Sequence, residues 1–177
     1  IGDSTFLHSG MTGLLDIVYN KGTVTTIILD NRTTAMTGGQ EHPGTGKTIQ
    51  GHPTSRVDLV ALCKALGVED VQVVDPYDYE GTLKVLTESV SKDKPSVIIT
   101  DRPCVLIERK SIDKPFSVDL ELCSGCQLCL KIACPGISLV SHGPKGIMKA
   151  VIDSTNCPGC GLCAQICPVN AITNEMT

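Results

Sequence analysis

Ten cysteines stand in a chain of 177 residues, and eight of them fall after position 110. They form two runs, Cys123-x-x-Cys126-x-x-Cys129-x4-Cys134-Pro135 and Cys157-x-x-Cys160-x-x-Cys163-x3-Cys167-Pro168. Three thiolates at this spacing wrap a tight loop and converge on one face of a cubane cluster. The fourth ligand comes from elsewhere, and in two-cluster proteins it comes from the opposite run. The spacing therefore predicts two [4Fe–4S] clusters. One takes Cys123, Cys126, Cys129 and Cys167, and the other takes Cys157, Cys160, Cys163 and Cys134. Gly125, Gly159 and Gly161 let backbone N–H groups approach the sulfurs. Zinc would require paired clips and leaves the proline after each fourth Cys unexplained. A disulfide scaffold would require an oxidising compartment. The extra residue between Cys129 and Cys134 should alter the local helical turn without removing the ligand. Cys63 and Cys104 lie on an apolar helix face and at a strand end, where core packing accounts for them.

A second set of residues offers oxygen. Gly2-Asp3-Ser4 is followed, 25 residues on, by Asp30-Asn31, the pattern of the thiamine diphosphate motif usually written GDG…NN. A diphosphate needs Mg²⁺, and Mg²⁺ needs oxygen donors in near-octahedral array. Asp3 supplies a carboxylate, Asn31 an amide oxygen and Thr33 a backbone carbonyl. Gly2 makes the turn, and the Ser4 and Thr5 N–H groups, opening a helix, suit the phosphates. Gly46-Lys47-Thr48 imitates the end of a nucleotide-binding loop. The first Gly of that motif would fall at Glu41, and no apolar strand leads into it, so an NTPase is set aside.

These residues need a scaffold. Leu14–Val18 reads as helical, Val24–Leu29 as a buried strand, and Asn31–Pro53 as a long loop rich in Gly, Thr and His. Val57–Leu66 reads as a helix stopped by Gly67, Val71–Val74 as a strand, Tyr79–Val90 as a helix and Val97–Thr100 as a strand. Such alternation predicts an α/β fold: a parallel sheet with helices on both faces and a site at the carboxyl ends of its strands. The segments VDLELCSGCQLCLKIACPGIS and VIDSTNCPGCGLCAQICPVNAIT repeat one another. Ser138–Val140 and Ile147–Val151 flank a turn at 142–146, so a small α+β ferredoxin-like domain of two pseudo-symmetric halves is expected. The change in cysteine content near Arg109-Lys110-Ser111 divides the chain into 1–110 and 111–177, with Asp113-Lys114-Pro115 as linker.

Composition limits the function. With 15 Lys+Arg against 19 Asp+Glu, two Phe, three Tyr and no Trp, there is neither a basic stripe nor a stacking platform for nucleic acid. No apolar run approaches the ~20 residues of a membrane span and no leader opens the chain, so no membrane partner and a cytoplasmic location are expected. The chain opens Ile1-Gly2-Asp3-Ser4 without Met, and reads as a piece cut through the middle of an α/β domain.

Taken together, GDSTFLHSG, ILDNRTTAMTGGQEHPGTG and the two cysteine runs resemble the 2-oxoacid:ferredoxin oxidoreductases, and within them the C-terminal part of the indolepyruvate-type alpha subunit. DNRTTAMTG and the lengthened first cysteine run carry the narrower resemblance. Ser4 stands where the broader motif has its second Gly. The resemblance implies that Asp3, Asn31 and the Thr33 carbonyl ligate Mg²⁺, that Thr37, Gly38 and Gly39 lie along thiamine diphosphate, and that His8 and His42 are candidates for substrate contact. It implies oxidative decarboxylation of an arylpyruvate to an acyl-coenzyme A, with two electrons leaving singly through the clusters to ferredoxin. It further implies a beta subunit and a pyrimidine-binding domain outside these residues, so that the fragment by itself should be inactive. The rival readings are a non-catalytic electron-transfer module and a sibling enzyme acting on pyruvate or 2-oxoglutarate.

Overall fold

The computed structural model describes residues 1–107 and 114–174. The chain divides into two compact units, Ile1–Glu108 and Arg109–Thr177. The boundary expected at 109–111 and Asp113 of the linker lie outside the described residues.

In the first unit three parallel strands form one sheet: β1 (Thr25–Asp30), β2 (Asp70–Val74) and β3 (Ser96–Asp101), in the order β1-β3-β2. Thr25 and Asp70 both face Ser96, so the three strands start level; at the carboxyl edge Asp30 faces Asp101 and β2 stops one residue earlier, with Val74 opposite Thr100. β3 is central and its Ser96–Ile99 stretch is buried throughout, which explains why it reads as an unbroken apolar run instead of alternating. Val97 and Ile99 point into a core with Phe6, Leu14, Ile28, Leu59 and Cys63. Ser96 and Ile98 point to the opposite face, where the Ser96 hydroxyl reaches the Ser89 carbonyl.

The helices start where their caps dictate. Asp58 accepts from Ala61 N–H at 3.0 Å ahead of α3 (Leu59–Ala65), and Asp78 accepts from Gly81 N–H at 3.1 Å ahead of α4 (Tyr79–Val90). Gly67, at φ 97°, ends the turn after α3 in the left-handed region. The first helical stretch is less regular. α1 (Asp3–Thr5) runs into a π-turn, Phe6–Gly10, before α2 (Met11–Tyr19), a distortion the apolar spacing did not announce. Ahead of it Ile1 and Gly2 extend the sheet: Leu29 N–H donates to the Ile1 carbonyl at 2.9 Å, and Gly2 bridges Leu29 in parallel.

The second unit is built from two antiparallel pairs. β4 (Ser117–Val118) pairs with β7 (Ile172–Thr173), and β5 (Ile137–His142) pairs with β6 (Ile147–Ile152). The β5–β6 hairpin turns through Gly143 and Gly146 at φ 71° and 62°, and His142, expected in the turn, instead pairs with Ile147 at the strand end. Between the pairs lie two short helical turns, Leu128–Ile132 and α5 (Leu162–Gln165). Cys129, Ala150, Cys163 and Ile172 form the buried centre. No helix among the described residues is long and apolar enough to cross a membrane.

Candidate functional site

Asp3 is the most enclosed carboxylate of the first unit, 1% exposed at the start of α1. Its Oδ1 accepts from Ser4 N–H at 2.7 Å, and its Oδ2 accepts from Arg32 N–H at 3.0 Å. The Ser4 N–H that the sequence points toward a phosphate is thus taken by the carboxylate, as helix-opening N–H groups commonly are. The Arg32 bond brings the loop after β1 over the start of α1. There Asn31 Oδ1 accepts from Thr33 N–H at 3.2 Å, and Arg32 itself sits at φ 60°, in the left-handed region that costs a non-glycine residue of order 1–3 kcal/mol. Asp3, the Asn31 amide and the buried Thr33 are therefore gathered at the end of β1.

The turn at Ala35–Thr37 continues from this loop, with Gly38 and Gly39 at φ 114° and 84°. It is held by Gly39 N–H to the Thr34 carbonyl at 3.1 Å and tied to α1 by the Thr34 hydroxyl, which donates to Ser4 Oγ at 2.8 Å. The two histidines differ. His8, exposed on the π-turn, has Nδ1 2.6 Å from the Ser4 carbonyl; a carbonyl only accepts, so Nδ1 carries a proton and, in the neutral ring, the lone pair falls on Nε2. His42 is 4% exposed, with Nε2 3.3 Å from Asp3 Oδ2.

Asp30 has no role of its own in the sequence reading beyond its place in the motif, yet it stands against Asp3. Burial pushes its carboxyl up from the ordinary value. The Arg56 guanidinium, 2.8 Å from Oδ2, opposes that shift, while the neighbouring Asp3 carboxyl and the charge of Asp101 add to it. Asp30 Oδ1 is buried with no partner. Two abutting buried carboxylates, Asp30 with a guanidinium on one oxygen and the other oxygen orphaned, and the Asn31 amide next in the chain make a hard-oxygen donor set that Mg²⁺ fits. A cavity of about 310 Å³ opens next to Asp30 and Arg56 at the carboxyl edge of the sheet, walled also by Val73, Ile99 and Asp101. An apolar strand ending on a carboxylate is the signal that could have singled out Asp30. Cys104 also departs from its expected place in the core: it is half-buried in the loop after β3, and its N–H donates to the Asn31 carbonyl at 3.0 Å. Cys63 is wholly buried, and burial pushes its thiol up to about 11.

In the second unit the cysteines gather in fours. Burial raises the Cys129 thiol, and the neighbours whose charges raise it further are Cys123, Cys126 and Cys167. Burial pushes the Cys163 thiol up to about 11, with Cys160, Cys157 and Cys134 acting on it in turn. The first four wall one small cavity together with Val118, Leu128, Ala150 and Ile172, an apolar shell of the kind that sets the dielectric around a cluster. Backbone N–H groups aim at the sulfurs: Phe116 N–H lies 3.4 Å from Cys157 Sγ, and Ala171 N–H lies 3.3 Å from Cys167 Sγ. Exposed Cys126 is held below the usual thiol value, first by Leu128 N–H and then by Ser124. Among the described residues no three or more His, Cys, Asp or Glu side chains form a group that could hold a single metal ion. A cubane holds its thiolates around a core larger than one ion, and the mutual action of each four suits that larger core.

Loop geometry repeats between the two runs. Gly125 and Gln127 take φ 73° and 60°, and their counterparts Gly159 and Gly161 take 75° and 74°. The extra residue of the first run is absorbed at Ala133, which ends its helical turn at φ 54°, whereas Ile166 ends α5 in the right-handed region.

Residues 1–100 match the family described as "Thiamine pyrophosphate enzyme, C-terminal TPP binding domain", and residues 150–173 match "4Fe-4S binding domain". The chain belongs to the thiamine pyrophosphate enzyme family. The second match spans the second cysteine run only. Over 97% of its length the chain is 38% identical to "Indolepyruvate oxidoreductase subunit IorA" of Pyrococcus horikoshii, covering 27% of that protein. Over 99% of its length it is 37% identical to the subunit of the same description from Methanothermobacter thermautotrophicus, covering 28%. The region of similarity is the C-terminal part of those subunits, so this thiamine pyrophosphate family member spans about a quarter of the length of the relatives it matches. A shorter stretch, 46% of the chain, is 34% identical to "Pyruvate synthase subunit PorD" of Thermotoga maritima, covering 81% of that protein.

Proposed function

We propose that the chain is the C-terminal part of the alpha subunit of an indolepyruvate-type 2-oxoacid:ferredoxin oxidoreductase. Residues 1–110 are the closing part of its thiamine diphosphate domain and 111–177 its two-cluster domain. The reaction is oxidative decarboxylation of an arylpyruvate to the aryl-acetyl-coenzyme A, in the cytoplasm, with a beta subunit completing the assembly and ferredoxin receiving the electrons.

One observation carries this reading: a single chain holds both the oxygen set of Asp3, Asn31 and Thr33 and two fours of cysteine. Thiamine diphosphate with Mg²⁺, when bound, supplies an electron sink for loss of CO₂, and the clusters supply one-electron steps. The chain's own residues do the rest. Asp3, Asn31 and the Thr33 carbonyl hold the Mg²⁺, and Thr37, Gly38 and Gly39 line the cofactor. His8 presents an Nε2 lone pair, fit to accept a proton or orient a substrate donor. Cys123, Cys126, Cys129 and Cys167 hold one cluster; Cys157, Cys160, Cys163 and Cys134 hold the other.

The test is reduction of methyl viologen by the full-length enzyme with indolepyruvate, phenylpyruvate or pyruvate and coenzyme A. Arylpyruvates are expected to be the faster substrates. Preference for pyruvate would move the chain to the sibling enzyme, a reading favoured by its likeness to the pyruvate synthase subunit. In Asp3→Ala, viologen reduction should vanish while the cluster EPR signals persist; unchanged activity would remove the thiamine role.

A further inference from the structure

The 34–58 stretch delivers one imidazole into a buried position against Asp3. The His42 side chain is fully enclosed, and its carbonyl accepts at 2.9 Å from both the N–H and the hydroxyl of Thr45, which closes 42–45 into a turn. Within that turn Gly44 N–H donates to Nδ1 across 3.1 Å. A nitrogen that accepts carries no proton, so the ring holds its proton on Nε2. That Nε2 lies 3.3 Å from Asp3 Oδ2 and makes no well-formed hydrogen bond among the described residues. The placement is built in: a Cβ on residue 44 would stand 2.9 Å from His42 Cε1 and 3.1 Å from Leu7 Cδ1.

An ionised carboxylate has about four lone-pair positions. Ser4 N–H takes one on Oδ1, and Arg32 N–H takes one on Oδ2. The His42 N–H, a small movement of Asp3 away from a proper bond, takes the second on Oδ2. These three donors leave a second position on Oδ1, with the Asp30 carboxyl also against Asp3.

We infer that His42 is a positioning residue for the metal carboxylate: its Nε2–H pins Asp3 Oδ2, leaves Oδ1 to the Mg²⁺ and couples the 34–58 loop to an occupied site. This rests on the reading of Asp3 as a Mg²⁺ ligand. It takes His42 away from substrate contact and leaves that role to exposed His8.

The experiment is calorimetric titration of Mg²⁺ into the full-length enzyme at saturating thiamine diphosphate. Loss of such an outer partner typically weakens metal binding about 10–100-fold, and that loss is expected for His42→Leu. H42Q keeps an N–H at the ε position and should return the affinity to within about threefold of the parent. H42N keeps only the δ position facing Gly44 and should not. Cluster absorbance and elution volume report folding; if H42L is insoluble, the Gln and Asn variants decide. The inference is overturned if H42L binds Mg²⁺ like the parent, or if H42N rescues as well as H42Q. Asp3→Ala separates the two levels: retained Mg²⁺ affinity there sinks the metal reading itself, whereas its loss in D3A beside parental binding in H42L sinks only the role of His42.

Discussion

Arg32 N–H donates to Asp3 Oδ2 across 3.0 Å, and it does so from a left-handed backbone at φ 60°. The bond joins two segments of the chain that share no helix or strand, and it lays the Asn31–Thr33 loop over the carboxylate. The Arg32 side chain is a separate matter, since its guanidinium reaches Asp101 at 2.6 Å. A substitution that spares the backbone and one that breaks it should therefore part company. Arg32→Pro loses the N–H and cannot reach positive φ, so Mg²⁺-dependent binding of thiamine diphosphate should fall below detection by calorimetry while cluster absorbance stays. Arg32→Gly keeps both the donor and the φ and should bind within about tenfold of the parent, a loss on the scale of one part-exposed ion pair.

The fours of cysteine cross the two runs, so damage should cross too. Cys134→Ala and Cys163→Ala should each remove about half of the iron and leave the same residual EPR signal, because both are proposed ligands of one cluster. Cys129→Ala should leave the other signal. If C134A instead resembled C129A, the crossing would be wrong.

Thiol chemistry should follow burial. In iron-stripped protein Cys163 is pushed up to about 11, so it is protonated at neutral pH and its thiolate fraction grows about tenfold per pH unit until that value is reached. Cluster insertion must release that proton, and reconstitution should therefore accelerate as pH rises from about 7 to 9. Cys126, exposed and held low by Leu128 N–H, should be the first thiol carbamidomethylated by iodoacetamide, with Cys63 and Cys163 last. Mass spectrometry of timed samples reads the order, and uniform labelling would contradict it.

Backbone strain makes opposite forecasts for two small residues. Ala133 sits left-handed at φ 54°, a conformation that costs an L-residue about 1–2 kcal/mol. Part of that is returned by the extra freedom of an unfolded glycine, so Ala133→Gly should stabilise by up to about 1 kcal/mol and lengthen cluster lifetime in air. Gly125 is also left-handed, at φ 73°, and a Cβ there would stand 2.7 Å from the Met148 carbonyl. Gly125→Ala should push its loop off β6 and speed bleaching of the cluster held by Cys123, Cys126 and Cys129.

The sequence by itself settled what local chemistry and periodicity encode. Thiolate spacing survives any fold that lets a loop wrap, and the run Val97–Thr100 announces a buried parallel strand because both faces must be apolar; Val24–Leu29 reads the same way, yet its strand is only half-buried, with Leu29 exposed. The helix over Tyr79–Val90 was legible from its spacing, and its cap is written in Asp78. Tertiary structure alone decided how the long loop returns. Nothing periodic in residues 34–58 foretells that His42 is buried against Asp3, because that placement depends on one turn, one glycine without a Cβ and a carboxylate 39 positions away. The same holds for Asp30 pressed against Asp3 and for the left-handed Ala133 that absorbs the extra residue of the first run. Long-range juxtaposition is fixed by packing, and packing leaves no period in the sequence.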